Sequence, residues 1–469
     1  MLSLTDILQS LTGIHREEAS IFFPEASVDS RQVIPGGLFA ALPGERVDGH
    51  NYVEAAFTQG AQIALIQKDI PSSHPVVDVR SHLLPAQLPE GPFCLRVDDT
   101  LKALQQIAGF YRRKFDLKVI GITGSVGKSS TKELVWEVLS QRYHTLKNQG
   151  NLNNEIGLPL TLLRLGASHQ AAVLEMGFYI PGDIALLCEL ALPQVGILTN
   201  IGTVHAERAG SQEAIARGKS ELVRALPQGG FAILNYDDPW IRPMAMQTRA
   251  QVFFYGTTPE ATLWADQIQS LGLAGIHFQL HYQNESLHLR IPLIGRHSVH
   301  SALRAAAAGL VLDLSWDEII TGLQQGQSQL RLVVVHSETG ALLLDDTYNA
   351  SPESTLAALN LLDEMDGTHI AVLGDMLELG PYEKQGHELV GARVAETCQR
   401  LITIGTRARM IAEAAVRAGL PTEAVSWVES VPEAIDLLRT SLNAGDVVLV
   451  KGSHGMHMER IVSALEVES

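Results

Sequence analysis

The stretch Val119-Ile-Gly-Ile-Thr-Gly-Ser-Val-Gly-Lys-Ser-Ser-Thr131 has the residue types and spacing of a phosphate-binding turn. A mostly apolar run, Leu117 to Ile122, leads into Gly124 and Gly127, and Leu134, Val135, Val138 and Leu139 then recur on one face of a helix. The glycines let the backbone bend so that its N–H groups point at an anion, and the helix start adds favourable partial charge. Lys128 can reach the β- and γ-phosphates, and the Ser129 hydroxyl can hold Mg²⁺. Ile122 stands where the strict G-x-x-x-x-G-K-[ST] pattern has its first glycine. An ordinary strand-to-helix turn is the competing reading; its position between strand and helix makes nucleoside triphosphate binding the leading one.

Further along the chain, Glu175 closes the apolar run Val-Leu-Glu-Met-Gly, where an acid at a neighbouring strand tip can hold metal-bridged phosphates. His205 follows the next run, in Thr199-Asn-Ile-Gly-Thr-Val-His, and Lys219 lies in a helical stretch fourteen residues on. Taken singly, these are a strand terminus, a loop histidine and a surface lysine; a shared sheet edge is what raises Glu175 and His205 above that. Three later turns, Asp345-Asp-Thr-Tyr-Asn-Ala-Ser-Pro, Gly374-Asp-Met-Leu-Glu-Leu-Gly380 and Lys451-Gly-Ser-His-Gly, each follow a strand with small or charged residues.

The elements that position these residues read as α/β. Residues 1–97 form a small α/β unit with strands at Gly37–Leu42, Ala61–Ile66 and Pro75–Val79, and the proline-rich Leu84–Pro92 piece suits a hinge. Residues 98–329 open with a helix over Thr100–Lys114 and repeat strand-then-helix units. Ala171–Glu175, Val195–Thr199 and Phe231–Asn235 are apolar enough for parallel strands buried on both faces. The polar Gln324–Leu330 segment marks a second boundary. Residues 330–469 place strands at Leu342–Leu344, Ile370–Leu373, Leu401–Ile404 and Val447–Val450, the habit of a Rossmann-like, doubly wound sheet with ligands at the carboxyl ends.

The 469-residue length suits about three domains. A formal charge of −17, with 35 basic and 52 acidic residues, and no basic face argue against a nucleic-acid or anionic-membrane binder. A nucleotide needs only a local cationic pocket. Cys94, Cys188 and Cys398 are too scattered for a disulfide framework or zinc site, and they suit a reducing cytoplasm. The first residues lack a basic-then-apolar signal pattern, and Ala305–Leu312 is too short to span a bilayer. A cytoplasmic monomer is expected.

With these residues in place, the chain resembles the Mur ligases of bacterial cell-wall synthesis, and within them the branch that adds D-alanyl-D-alanine to UDP-N-acetylmuramoyl-tripeptide. The resemblance begins at Val28-Asp-Ser-Arg31, Pro35–Gly44 and Asp48-Gly-His50. It continues through Thr123–Ser129, Lys147-Asn-Gln-Gly-Asn-Leu-Asn-Asn-Glu-Ile-Gly-Leu-Pro159 and Gly295-Arg-His, and ends with Arg331, Asp346–Asn349, Gly374–Gly380 and Lys451-Gly-Ser453. It implies three domains holding UDP-sugar, ATP and incoming dipeptide in turn. It also implies ATP-dependent amide formation through an acyl phosphate, which completes the UDP-MurNAc-pentapeptide peptidoglycan precursor. The small-molecule partners would be UDP-MurNAc-tripeptide and D-Ala-D-Ala, and the cofactors ATP and two Mg²⁺ ions.

The resemblance assigns Lys128, Glu175, His205 and Lys219 to catalysis. It assigns Thr123, Gly124, Ser125, Gly127, Lys128, Ser129, Ser130, His297, Arg331 and Asp346 to ATP. Ser30, Arg31, Asn153, Asn154 and Asn349 fall to the substrates. Ser129, Glu175, His205 and Lys219, the last as a carbamate, would hold the metal ions, because a carbamate turns a cation into an oxygen donor. Ser298 and Ser301 replace two asparagines usual in the family, Arg304 enters an alanine-rich helix, and His454 stands where arginine is common. Another Mur-type or folylpolyglutamate-synthase-like ligase shares the phosphate loop, Glu175, His205 and Lys219; the Asn-Leu-Asn-Asn segment and the Asp-Ser-Arg block favour the D-Ala-D-Ala branch. A nucleotide-dependent switch or a non-catalytic scaffold belongs to a different class. The first would not need the carboxyl-terminal turns, and the second would not need Lys128, Glu175 and His205.

Overall fold

Five short apolar runs of the amino-terminal region lie side by side in one sheet. In the computed structural model their order is Ala26–Ser27, Leu38–Ala40, Ile63–Ile66, Phe93–Arg96 and Val76–Asp78, and every neighbouring pair is parallel. The structure describes all residues except 17–20, 45–46, 82–83, 204–205, 326–332 and 468–469. The chain divides into two compact units, the first comprising Met1–Gly121, Tyr143–Gly177 and Gly182–Val195, the second Ile122–Arg142, Phe178–Pro181 and Gly196–Ser469.

In the first unit, Phe39, Ala41, Ala64, Ile66 and Cys94 point from the sheet into a core with Val53, Ala56 and Phe57. The helix Leu4–Thr12 starts with a capping box, Ser3 and Asp6 each accepting from the other's backbone N–H, and ends at Gly13 in the left-handed region with φ 78°. The Leu84–Pro92 piece runs between Val76–Asp78 and Phe93–Arg96, which pair in the same sheet, so it is a crossover rather than a hinge between domains. Asp99 caps the helix Thr100–Arg112 by accepting from the Lys102 N–H. Strands Thr145–Lys147 and Ala171–Glu175 pair in parallel. All five residues of the latter are buried, which is why it carries no alternating polar face.

The second unit begins inside the strand Lys118–Thr123, whose last two residues it contains. The helix Lys128–Ser140 packs against the alanine-rich helix Val299–Val311 and against Trp316–Gln325. Small residues permit the close approach: a Cβ on Gly322 would stand 2.5 Å from the Val138 Cα. Strands Phe231–Asn235, Gln251–Gly256 and Leu263–Ser270 run parallel, the first of them as its apolar run predicts. The strand-then-helix expectation fails after Phe231–Asn235: only the 3-10 turn Arg242–Gln247 precedes Gln251–Gly256, and no helix separates that strand from Leu263–Ser270. Leu263–Ser270, Ile276–Tyr282 and Glu285–Ile291 form an antiparallel meander without intervening α-helices. The cause is a switch to period-two burial, in which Ile276, Phe278 and Leu280 face inward and their neighbours do not.

The unit's last part is a six-stranded sheet in the order Val333–His336, Leu342–Asp346, Asp446–Lys451, Thr368–Gly374, Arg400–Ile404, Val425–Val428. Only Val333–His336, at the edge, is antiparallel. Helices Pro352–Asp363, Glu383–Thr397 and Arg409–Arg417 cover one face around Leu344, Leu359, Val390, Val394 and Leu401. Val431–Ser441 and Glu459–Leu465 cover the other around Leu343, Val372, Leu438, Val448 and Ile461. This is the doubly wound arrangement expected. Asp446–Lys451 lies between Leu342–Asp346 and Thr368–Gly374, which puts the crevice for a ligand beyond Asp346 and Lys451. Most of the polar Gln324–Leu330 boundary segment falls outside the described residues.

Candidate active site

The phosphate loop is held by the strand end beside it. The Thr199 N–H donates to the Thr123 carbonyl at 3.0 Å, and its hydroxyl donates to the Val126 carbonyl at 2.7 Å. Gly124 has φ +149°, and a Cβ there would collide with the Thr199 hydroxyl, so that position requires glycine. The Ser125 N–H donates to the Asn200 carbonyl and the Val126 N–H to the Asn200 side-chain oxygen, both at 2.9 Å. The Gly202 N–H in turn donates to the Ser125 hydroxyl at 2.8 Å. Two of the N–H groups that sequence reasoning aimed at an anion are therefore turned to Asn200. The anion-favouring element is the start of the helix at Lys128, opened by Gly127 with φ 82°.

Lys128 donates from Nζ to the carbonyls of Gly124 and Ser125, at 2.8 and 3.0 Å. Lys219, 1% exposed on the helix Gln212–Ala225, donates to the same Gly124 carbonyl at 2.9 Å. Its Nζ lies 4.9 Å from the centre of the Phe178 ring. That ring lies against Gly218, where a Cβ would collide with it. Burial first, and the Lys128 charge second, hold the Lys219 amine well below its ordinary pKa of 10.5.

A cavity of about 400 Å³ opens beside this loop within the second unit. Ser125, Gly127, Lys128, Ser129 and Ser130 line one side; His297, Asp346 and Asn349 line others. Thr123, Gly124 and Lys219, which were expected at the site, do not line this cavity. Asp346, at the end of strand Leu342–Asp346, accepts at 2.6 Å from Lys451, whose side chain is 2% exposed and which also donates to the Asn349 carbonyl at 2.8 Å. Glu353 accepts from the Thr203 N–H at 2.9 Å. Ser298 donates to the Ile294 carbonyl at 2.7 Å, so its short hydroxyl is spent on its own turn.

The first unit holds the remaining expected residues. Glu175 is 1% exposed and accepts from the Asn153 amide at 2.8 Å. Asn148 clamps the same strand end, accepting from the Glu175 N–H at 3.0 Å and donating to its carbonyl at 3.0 Å. The Asn154 side-chain oxygen accepts from the Gly157 N–H at 2.9 Å and so starts the helix Gly157–Leu162. Ser30 is buried; Arg31 is exposed and pairs through two N–H groups with Asp29, holding that carboxyl below its usual range. His205 and Arg331 lie outside the described residues.

Among the described residues, no group of three or more His, Cys, Asp or Glu side chains could hold a metal ion. Mg²⁺ does not require such a group, since one or two carboxylates with substrate phosphates and waters suffice. The Ser129 hydroxyl in the second unit and the buried Glu175 carboxylate in the first are each oxygen donors of the type Mg²⁺ takes. Asn148, Asn200, Glu353 and Arg304 were missed as supports of the site. Asn148 and Asn200 stand inside the Lys147–Pro159 and Thr199–His205 segments, but spacing alone does not reveal which loop asparagine turns inward.

Three family models cover most of the chain: the Mur ligase family catalytic domain at residues 26–112, the middle domain at 122–309, and the glutamate ligase domain at 330–454. A UDP-N-acetylmuramoyl-tripeptide–D-alanyl-D-alanine ligase of Synechocystis is 36% identical over 100% of this chain and 98% of its own. The crystal structure of MurF from Acinetobacter baumannii matches with a TM-score of 0.85 and 31% identity, over 98% of this chain and 97% of that one. MurF from Thermotoga maritima, solved in complex with ADP, matches at 0.79 and 25% identity over 97% of both chains. This chain belongs to the Mur ligase family.

Proposed function

We propose that this chain is an ATP-dependent ligase that joins D-alanyl-D-alanine to the terminal carboxylate of UDP-N-acetylmuramoyl-tripeptide, forming an amide, ADP and phosphate. The observation that carries this reading is one cavity lined both by the loop ahead of the helix at Lys128 and by the Asp346–Lys451 pair at the ligand edge of the last sheet. The full-length similarity to D-Ala-D-Ala ligases supports the choice of substrates. The three-way division is proposed with boundaries near residues 97 and 329. The first part would carry the UDP-sugar near Ser30 and Arg31, and the last the dipeptide, in a cytoplasmic enzyme that acts as a monomer.

The tripeptide carboxylate attacks the γ-phosphorus of ATP, the bond to the β–γ bridging oxygen breaks, and ADP leaves. The dipeptide amine then attacks the acyl carbon and loses its proton, and the tetrahedral intermediate expels phosphate. The protein's share is alignment and charge, because phosphoryl transfer asks for little covalent help. Lys128 would leave its two carbonyl partners for the β- and γ-phosphates, while the helix start at Lys128–Ser130 faces the phosphate chain. Two Mg²⁺ ions, held by Ser129, Glu175, His205 and carbamylated Lys219, would supply charge neutralisation on phosphoryl oxygens. Thr123–Ser130, His297, Arg331 and Asp346 would surround ATP, and Asn153, Asn154 and Asn349 the acceptor and dipeptide.

The test is phosphate release by the full chain with Mg²⁺-ATP, UDP-MurNAc-tripeptide and D-Ala-D-Ala, each omitted in turn. Release that needs all three, with a UDP-pentapeptide product by mass, is expected. Release that ignores D-Ala-D-Ala and follows another amine would move the chain to a sister ligase, and silence with every amine would leave a scaffold.

A further inference from the structure

Arg304 is the only Asp, Glu, Lys or Arg in the helix Val299–Val311, and it is 4% exposed. Its partners are neutral: Nη1 donates to the Tyr255 hydroxyl at 3.3 Å, Nη2 to the Ser301 hydroxyl at 2.8 Å, and Nε has no partner. The guanidinium carbon lies 5.6 Å from the centre of the Tyr255 ring. No carboxylate pairs with it among the described residues. A buried cation without a counter-charge is costly, and an alanine-rich helix offers no packing reason to keep one.

Its position supplies the reason. Nη2 is 3.3 Å from where a Cβ on Gly127 would sit, next to the residue that opens the phosphate-loop helix. Arg304 lines the same cavity as Lys128 and Ser129. Neither acidic residue on that cavity forms an ion pair with Arg304: Asp346 is held by Lys451, and Glu353 accepts from the Thr203 N–H through Oε1 while its Oε2 has no partner. Asp237, whose charge also acts on Tyr255, accepts from Thr257 through Oδ2 and forms no ion pair with Arg304, though its Oδ1 has no partner. The unanswered charge therefore belongs to a ligand that enters at the loop.

We propose that Arg304 binds the phosphate chain of the nucleotide, presenting its planar fork to phosphate oxygens and setting a preference for di- and triphosphates over monophosphates and nucleosides. This rests on the reading of the cavity as a nucleotide site. Ser301 and Tyr255 orient the fork, since each holds one of its terminal nitrogens through a neutral oxygen.

Isothermal titration of the full-length protein with ATP, ADP, AMP and adenosine separates the possibilities, using wild type, Arg304→Met and Arg304→Lys. The methionine should weaken ADP and ATP by roughly 10- to 100-fold, the range of a charge-assisted contact, and adenosine by less than about 2-fold. The lysine keeps the charge but loses the fork, so it should fall between and guards against a methionine variant that fails to fold. Unchanged ADP affinity in folded variants would overturn the proposal and leave Arg304 as packing on Tyr255. Equal losses for ADP and adenosine would also overturn it, moving the contact to the base. A wild-type protein that binds no nucleotide would instead sink the reading of the cavity itself.

Discussion

Lys128 and Lys219 donate from their side-chain nitrogens to one oxygen, the Gly124 carbonyl, at 2.8 and 2.9 Å. Two ammonium groups on one acceptor, one of them fully buried, favour loss of a proton from the buried partner. Of the two lysines, Lys219 is therefore the one proposed to react with CO₂. Lys219→Met should lower ligase turnover by roughly 10²–10³-fold, the cost of removing one charge-stabilising group, and Lys219→Arg should not restore it. A carbamate carbon resonance should appear in wild type given ¹³C-bicarbonate and be missing from the arginine variant. Full activity in Lys219→Met would remove Lys219 from the mechanism.

The same burial predicts a pH dependence of stability in CO₂-free buffer. The folded Lys219 gives up its proton well below 10.5, whereas the unfolded chain holds it to about 10.5. Between those values the unfolded state binds more protons, so stability rises with pH. In urea unfolding, Lys219→Met should be more stable than wild type near neutral pH, and the gap should narrow as pH approaches 10.5. A gap independent of pH would show that the amine is charged in the fold.

Gly124 and Thr199 fix the loop as a pair. Gly124→Ala should cost at least about 1–3 kcal/mol from backbone strain alone, beyond the clash with the Thr199 hydroxyl, and nucleotide affinity should fall with it. Thr199→Ser keeps the bond to the Val126 carbonyl and should be nearly silent, while Thr199→Val loses it. Equal behaviour of the serine and valine variants in denaturant titration would contradict the role given to the hydroxyl.

How much of this could be read beforehand follows from the kind of pattern involved. Parallel strands such as Ala171–Glu175 and Phe231–Asn235 announce themselves as unbroken apolar runs, because both faces are buried. The phosphate loop was legible for the same local reason, a glycine-lysine-serine turn between a strand and a helix. The meander from Leu263 to Ile291 was not read, although Ile276-His-Phe-Gln-Leu-His-Tyr282 alternates with period two, because the strand-then-helix pattern of the preceding region was carried past it. Nor could spacing show that Asn200 takes two loop N–H groups, or that Arg304 folds back toward Gly127 from 177 positions later in the chain. Those depend on which strand end lies beside the loop, which only the fold decides.

Asp346 and Lys451 form the ion pair at the carboxyl ends of neighbouring strands. Asp346→Ala leaves a buried ammonium with carbonyl partners only and should destabilise the protein by about 3–5 kcal/mol. The double variant Asp346→Leu, Lys451→Met should recover much of that stability but not ligase activity. Recovery of both would show the pair to be structural alone.

Cys94, Cys188 and Cys398 are all buried, and burial pushes the Cys94 thiol up to about 12 and the Cys398 thiol to about 11. Thiolate is the reactive form, so a disulfide reagent at pH 8 should label none of the three in the folded protein and all three in denaturant. Rapid labelling without denaturant would mean that a core opens locally.

The most direct test of the account follows one oxygen atom. UDP-MurNAc-tripeptide labelled with ¹⁸O in its terminal carboxylate is incubated with the protein, Mg²⁺-ATP and D-Ala-D-Ala, and the released phosphate is weighed by mass spectrometry. Acyl phosphate formation predicts one ¹⁸O in each phosphate, matched by one UDP-pentapeptide. Unlabelled phosphate would mean that ATP hydrolysis is not coupled to the carboxylate, and the assignment as an amide ligase would fall.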